Sequence, residues 1–377
     1  AGSLRRHKEL IRDIDILVSA EQATKIMDTF TTLPQVAKVN AKGNTKSAIT
    51  LKNGINADLR VIKNKEFPYG LQHFSGSKEH NVALRSRAKK MGLKMNEYGL
   101  FKGKKLIVCK NEAELYQKLK LDYIPPELRE NTGEIEAAEK HQLPKLIEQK
   151  DIQGVFHVHS NYSDGANSIE EMARQCMKMG FKYMVLADHS QSAFYANGLK
   201  PARLKKQHKE IDQLNKKLKG FKILKGIECD ILPNGQLDYP DEILKTFDYV
   251  FGAIHTKFKM PEKEMTERII KAMQNKYFSI LTHPTGRLLL SREPYPVNLE
   301  KVIKAAAKYG KAIEINCNPQ RFDLDWRWCK VAKENGVKIV LSPDSHRIDT
   351  ISDIYYGVGI ARRGWLEKKD VLNTGPG

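Results

Sequence analysis

Residues able to do chemistry cluster at the ends of short apolar runs in the second half of the chain. Six of the eleven histidines stand at or just beyond such an end: His157, His159, His189, His255, His283 and His346. Asp164, Asp188, Glu228 and Asp344 hold comparable positions. Residues i and i+2 of a strand point the same way, so His157 and His159 are expected to project together, as are Asp344 and His346 if that segment is extended. Imidazole plus carboxylate without thiolate suits zinc, manganese or iron(II), not a structural zinc knot. One histidine at a strand end is more often an ordinary hydrogen-bonding residue, and one HxH is a weak signal. The whole set, repeated at the ends of successive strands, points to a metal centre.

A second set lies near the start. Asp13 and Asp15 in IRDIDILV share one strand face, which leaves Ile14, Ile16 and Val18 on the other to pack into a core. Asp58 sits in ADLRVI, with Arg60 on its face. Three carboxylates on neighbouring strands can hold two magnesium ions for two-metal phosphoryl transfer, although a DxD alone is common on solvated strands. GSLRR at 2–6 offers a small-residue turn, a hydroxyl and two guanidiniums, which by themselves read either as a grip for a triphosphate or as a solvated basic terminus. HFSGSKEHNVALR at 73–85 is a glycine-containing turn leading into a helix.

The elements that must position these residues follow from periodicity. Apolar runs at 154–159, 183–189, 222–228, 249–255, 278–283, 311–316 and 338–344 read as strands. Amphipathic patterns at 169–179, 204–218, 262–275 and 299–308 read as the helices between them. Strands alternating with helices imply a parallel sheet, and one this long is expected to close into a barrel whose strand C-termini gather on one face. The first part is α+β instead: strands at 10–18, 47–51 and 57–62, and helices at 20–29 and 82–90. Ser19 and Gln22 are expected to form a capping box that opens the first of these helices. Residues 122–150, with Pro125, Pro126, Pro144 and an acidic run through Glu134, Glu136 and Glu139, read as a linker with a short helix or two. The expected domains are therefore 1–121 and 151–370, joined by 122–150.

Composition is compatible with this division. A chain of 377 residues is comfortable as two domains. The surplus of 64 Lys+Arg over 45 Asp+Glu, a formal net charge of +19, suggests a polyanionic partner. It is denser early in the chain, where residues 1–150 hold 28 basic and 18 acidic side chains. No apolar run approaches the roughly 18–20 residues of a membrane-spanning helix, and the polar opening stretch has no secretory pattern. Five scattered cysteines without a CxxC pair suggest a reducing cytoplasm.

The motifs HVHSNYSDG (157–165), ADHS (187–190), GIECD (226–230), AIHT (253–256), THPTGR (282–287) and SPDSH (342–346) together resemble the polymerase-and-histidinol-phosphatase (PHP) domain. The resemblance implies a distorted (βα)7 barrel with a three-metal cluster of Mn2+ and/or Zn2+ that hydrolyses phosphoesters. It fills every metal position of that family, with His157, His159, Asp164, His189, Glu228, His255, His283, Asp344 and His346. Glu228 is the candidate bridging ligand, and Asp188 and Asp230 are expected to orient ligating imidazoles or shape the rim. Asn316, Asn318, Arg321 and Arg287 are candidate substrate contacts, with loop capping or surface charge as the alternative.

GSLRR, DID, ADLR, GSKEHN and NEYGLF (96–101), in that order before a PP-containing segment and a PHP domain, resemble the palm and thumb of family X DNA polymerases of the bacterial and archaeal type. By that resemblance Asp13, Asp15 and Asp58 are catalytic ligands of Mg2+, and Gly2, Ser3 and Arg6 meet the incoming triphosphate. Phe74, Gly76 and Asn81 lie beside the nucleotide, Arg85 lies near the template, and Tyr98 matches a thumb tyrosine. His73 replaces a common tyrosine, and Arg12 a frequent glycine. The implied partners are gapped duplex DNA with its 3′ ends and deoxynucleoside triphosphates, handled by a cytoplasmic monomer without membrane contact in base excision repair. The implied activities are nucleotide addition and 3′–5′ exonuclease. The rival expectation is a stand-alone phosphomonoesterase acting on a small ester. Since the chain begins inside the GS motif, it is expected to be the later part of a longer polymerase.

Overall fold

The computed structural model describes residues 1–376 and divides the chain into two compact units, residues 1–144 and 145–377. The first unit opens with α1 (Gly2–Arg5), β1 (Asp13–Ser19), α2 (Ala23–Thr31), β2 (Val36–Lys42), β3 (Lys46–Leu51) and β4 (Asn56–Ile62). These four strands form a sheet in the order β1-β4-β3-β2. The β1–β4 pair is parallel, with Asp15 opposite Asp58. Ile49, Ala57, Leu59 and Val61 turn inward onto Met27 and Phe30 of α2, with Ile14 and Val18 packed against them. Ile16, expected in that core, is 37% exposed. The remaining elements are α3 (Phe67–Ser75), α4 (Lys78–Lys90), β5 (Lys94–Asn96), β6 (Gly99–Lys102), β7 (Lys105–Ile107), α5 (Glu112–Lys118) and α6 (Glu134–Glu139).

Three further expectations for this unit change. The capping box does not form: α2 begins at Ala23, and Ser19, still in β1, donates its hydroxyl to the Asn64 side chain. The helix read at 82–90 starts earlier, at Lys78, where the Ser77 hydroxyl accepts from the His80 amide. The stretch 122–150 is also not a free linker. Residues 122–144 belong to the first unit. Arg129 is fully buried, donating to Glu112 Oε1 at 2.6 Å and to the Ile124 carbonyl at 2.9 Å. Glu134 is buried against His80 Nδ1 at 2.6 Å. Prolines and glutamates suggest solvent, and Glu136 and Glu139 are exposed, but Arg129 and Glu134 are buried against partners that the rest of the unit supplies.

The second unit contains β8 (Gly154–Val158), α7 (Ile169–Lys178), β9 (Tyr183–Leu186), α8 (Pro201–Lys217), β10 (Lys222–Asp230), α9 (Asp241–Leu244) and β11 (Tyr249–Ala253). It continues through α10 (Glu262–Met273), β12 (Ile280–Leu281), α11 (Leu299–Tyr309), β13 (Ala312–Asn316), α12 (Trp326–Glu334), β14 (Ile339–Ser342) and α13 (Ile354–Arg363). All seven strands pair in sequence order, β8 to β14, and every pairing is parallel. A bridge from Val158 to Ser345, just beyond β14, brings the two edges together into a nearly closed barrel. Strands buried on both faces read as continuous apolar runs, which is why all seven were visible in the sequence. The helices start where side chains satisfy orphan amides: Ser168 and Glu171 form a reciprocal box at α7, Asn298 caps α11 and Asp325 caps α12. No helix among the described residues is long and apolar enough to cross a membrane.

Candidate metal centre and palm carboxylates

The strand C-termini of the barrel carry the site. Glu228, in β10, is 1% exposed and stands at its centre. Its Oε1 lies 2.9 Å from His283 Nε2 and 3.2 Å from His255 Nε2. Its Oε2 lies 2.9 Å from His189 Nδ1, 3.5 Å from His157 Nε2 and 3.7 Å from His159 Nε2. Each oxygen thus serves a different set of imidazoles, the arrangement a bridging carboxylate needs. Asp344 Oδ1 is 3.1 Å from His159 Nε2 and 3.5 Å from His157 Nε2. Asp164 reaches His346 Nε2 at 3.3 Å, His189 Nε2 at 3.6 Å and His159 Nδ1 at 3.7 Å.

Three overlapping groups have ligand atoms within 4.8 Å of one another: His159, Asp164, His189 and His346; His157, His159 and Asp344; His189, Glu228 and His255. His283 joins through Glu228, so all nine residues singled out in the barrel meet at one place. Their chemistry fits divalent cations. His157 Nε2, His159 Nδ1 and Glu228 Oε2 are buried without a hydrogen bond, a costly arrangement for polar atoms unless a cation is their partner.

The protonation tendencies show how tightly the charges are coupled. Burial disfavours the cation at His189 and His255, yet Glu228 and Asp164 push His189 up to about 11, and Glu228 and Asp230 push His255 up to about 9. His159 goes the other way, down to about 3, because burial acts there together with the neighbouring His346 imidazole. The carboxyl groups of Glu228 and Asp344 are held well below their usual range despite burial, by the surrounding histidines.

Local backbone geometry departs from simple alternation. His157 has φ +57°, and the β8–β9 register shifts between Val155 and Val158, so a bulge aims the two rings, whose centroids are 5.0 Å apart. Asp344 has φ +52°, so 344–346 is not extended as expected; the turn places His346 Nδ1 3.0 Å from the Asp344 carbonyl.

A surrounding layer orients the ligands. Asp230 accepts from His255 Nδ1 at 2.5 Å, as expected of it. Asp188 touches no imidazole. It accepts from the Ser160 amide and hydroxyl, the Ser163 hydroxyl and Gln207, tying down the loop that carries Asp164. Glu314 was missed: buried in β13, it lies 2.7 Å from His157 Nδ1 and accepts from the Thr282 hydroxyl and the His283 amide. This partner leaves His157 Nε2 facing the cluster. The signal was a lone glutamate inside AIEIN, but it lies one turn of the alternation before the strand end. Asn316 donates to Asp344 Oδ2 at 3.0 Å, and Arg321 Nε lies 3.6 Å from the same oxygen. Asn318 caps its own loop, and Arg287 is spent on Asp325 and two loop carbonyls.

In the first unit Asp15 and Asp58 sit side by side on β1 and β4, with Asp13 two residues before Asp15. Burial raises the Asp15 carboxyl, and the charges of Asp13 and Asp58 raise it further. Lys46, which sequence reasoning overlooked, approaches Asp58 Oδ2 at 3.3 Å. Among the described residues this trio is not drawn together as tightly as the barrel groups. A small cavity of about 80 Å³ opens beside Asp15 and Asp58, with Arg60 and Phe74 in its wall; Arg60 stacks over the Phe74 ring at 4.8 Å. Gly2 approaches the Asp15 carboxylate so closely that a Cβ would lie 1.9 Å from Oδ2, at φ +64°. Ser3 is half-buried in α1. Arg6, expected as a triphosphate contact, donates to Glu130 and to the Ser75 carbonyl. Asn81 is likewise engaged, donating to the His73 carbonyl and accepting from Gln72. Gly76 ends α3, Arg85 is half-buried on α4, and Tyr98 is 47% exposed.

Comparison with known proteins now adds the lineage. The family profile of the DNA polymerase beta thumb matches residues 70–130, and that of the PHP domain matches residues 156–318. The DNA polymerase/3′-5′ exonuclease PolX of Bacillus subtilis (strain 168) is 41% identical over 99% of this chain. The chain belongs to the PHP-bearing family X polymerases. It spans 66% of the length of that PolX. A probable phosphatase of Thermoanaerobacter sp. (strain X514) is 31% identical over 59% of this chain and 90% of its own length. One from Caldanaerobacter subterraneus is 30% identical over 58% of the chain and 85% of its own length. The family X assignment explains why a thumb-type segment, residues 70–130, precedes the barrel, and why residues 122–130 pack with it.

Proposed function

We propose that this chain is the palm, thumb and PHP part of a DNA repair polymerase, and that its barrel is a metal-dependent 3′–5′ exonuclease and phosphodiesterase. The observation that carries the reading is the Glu228-centred cluster of nine ligands in a chain that matches PolX along nearly its whole length. Divalent cations held there, Mn2+ and/or Zn2+ at three positions, supply charge neutralisation for a phosphate and acidify water. The protein's own part is positional. Glu228 spreads its oxygens between two imidazole sets, Glu314 and Asp230 fix the tautomers of His157 and His255, and Asp188 holds the Asp164 loop. Arg321 stands beside Asp344, where a phosphodiester oxygen would meet it.

In the first unit Asp13, Asp15 and Asp58 are the proposed Mg2+ ligands for nucleotide addition. Gly2 and Ser3 are the proposed triphosphate contacts, Phe74 the nucleotide contact and Arg85 the template contact. DNA at gaps and 3′ ends and deoxynucleoside triphosphates are the proposed partners, in the cytoplasm and with the protein as a monomer. Five free, buried cysteines are compatible with that compartment.

The test is a double variant, His157→Ala with His159→Ala, assayed on 3′-labelled single-stranded DNA with manganese. Loss of at least about two orders of magnitude in hydrolysis is expected; unchanged exonuclease sinks the assignment. The match to probable phosphatases over 90% of one relative's length favours a second reading, a phosphomonoesterase. Turnover on a small phosphate monoester exceeding that on DNA would decide for it.

A further inference from the structure

Two of the most exposed large apolar side chains among the described residues are adjacent and border the metal centre: Phe194 at 83% and Tyr195 at 70% exposure. The Tyr195 ring centroid lies 6.2 Å from that of His189 and 6.3 Å from that of His255, edge-on to both. The loop bearing them, 190–199, is not loosely held. Ala193 and Ala196 are buried beneath it. Asp238 accepts from the Ser190 hydroxyl and the Ser192 amide, and the Gln191 side chain donates to its carbonyl. The Gly198 amide bonds the Ala193 carbonyl, and a Cβ on Gly198 would lie 1.9 Å from the Ser190 carbonyl oxygen. The Leu199 amide closes the loop onto the His189 carbonyl, so loop and ligand are one unit.

Exposed aromatic rings on a rigid support bind planar partners with little ordering cost. The partner here has a phosphate to place among the ligands and a flat, π-faced group one sugar away, and a nucleotide has both. Lys257 and Lys259 are exposed on the loop that follows His255, and Lys200 is exposed at the end of the aromatic loop; they supply positive charge for backbone phosphates beyond the scissile one. We infer that Phe194 and Tyr195 form a stacking platform for the terminal base of a single-stranded 3′ end, which makes the barrel select base-bearing nucleotides over base-less esters. The inference rests on the phosphodiesterase reading of the barrel. Stacking reads no base edge, so the platform accepts any of the four bases.

The experiment uses the whole chain and two readouts. The first is fluorescence of 2-aminopurine at the 3′ end of a single-stranded oligonucleotide, with no added metal. Quenching on binding, lost in the double variant Phe194→Leu with Tyr195→Leu and restored by the aromatic-preserving pair Phe194→Tyr with Tyr195→Phe, is the expected result. The second is the ratio of kcat/KM for a normal 3′ nucleotide to that for a 3′ abasic analogue, expected to fall about tenfold in the leucine variant. Hydrolysis of DNA without quenching, or a preference ratio unchanged in the leucine variant, overturns the platform. Quenching by a wild-type protein that hydrolyses no DNA overturns the nuclease reading and leaves the platform standing.

Discussion

Glu314 shows what a single buried carboxylate can control at a distance from the reacting atoms. It is 0% exposed and accepts from Thr282 and the His283 backbone while facing His157 Nδ1. Two ligating histidines are therefore aimed by one side chain. Glu314→Gln keeps the volume but removes the charge that favours Nδ1–H on His157. Losing such an orienting partner typically weakens metal affinity about 10–100-fold. Metal content per chain after dialysis should fall accordingly, with the far-ultraviolet circular dichroism unchanged; full retention of metal would refute the role. The nine proposed ligands stand out in the sequence because their motifs lie at or just beyond the ends of apolar strands. Glu314 does not, because one acid within such a strand has the same signature as a solvated one until its neighbours are known. Arg6 and Asn81 show the converse. Their motif places them near a nucleotide, and the folded unit adds intramolecular partners that the motif does not reveal: Glu130 and the Ser75 carbonyl for Arg6, Gln72 and the His73 carbonyl for Asn81.

At the scale of elements, the seven barrel strands are readable because burial on both faces gives each a short apolar run, rich in Val, Ile and Leu. β2 is not: VAKVNAK is exposed along nearly its whole length and mixes lysine with alanine. The linker misreading has an energetic test. Arg129 is buried with Glu112, and its guanidinium also lies over the rings of Tyr116 and Tyr123. Burial works against the Glu112 charge, but Arg5 and Arg129 hold its carboxyl below the usual range. Arg129→Met strips one of those partners, and breaking a buried pair from one side costs about 3–5 kcal/mol. The first unit's unfolding midpoint should drop sharply. A residue in a free linker would show no change.

A second element-scale prediction concerns α8. His208 packs edge-on against Phe247, with ring centroids 5.1 Å apart, and its Nε2 is buried without a hydrogen bond. Burial, helped by Lys225, lowers its pKa to about 4. A histidine depressed in the folded state binds fewer protons there than in the unfolded chain, so its contribution is fully present above about pH 6.5 and is lost as pH falls toward 4. That amounts to about 2 kcal/mol between pH 6.5 and 5. Urea midpoints measured at pH 7.5 and 5 should converge in His208→Gln relative to the wild type, and parallel losses in the two proteins would exclude this source.

For the whole molecule, the metal centre links function to stability. The nine proposed ligands come from the ends of six strands and the loops that follow them, from His157 in β8 to His346 beyond β14. Cations bound there join segments nearly two hundred residues apart. They bind only the folded arrangement, so they stabilise it by RT ln(1 + [L]/Kd), about 4 kcal/mol at a thousandfold excess over Kd. The formal charge also shifts: three barrel carboxylates are counted in the +19, and cations bound there would make the protein more attractive to a polyanion than the count suggests. Chelation should therefore lower the unfolding temperature of the barrel, and re-addition of manganese or zinc should restore it. The His157→Ala, His159→Ala double variant should start at a lower temperature and respond much less to chelator. A chelator response equal in wild type and variant would place the bound metal elsewhere and remove the cluster from both the stability and the chemistry.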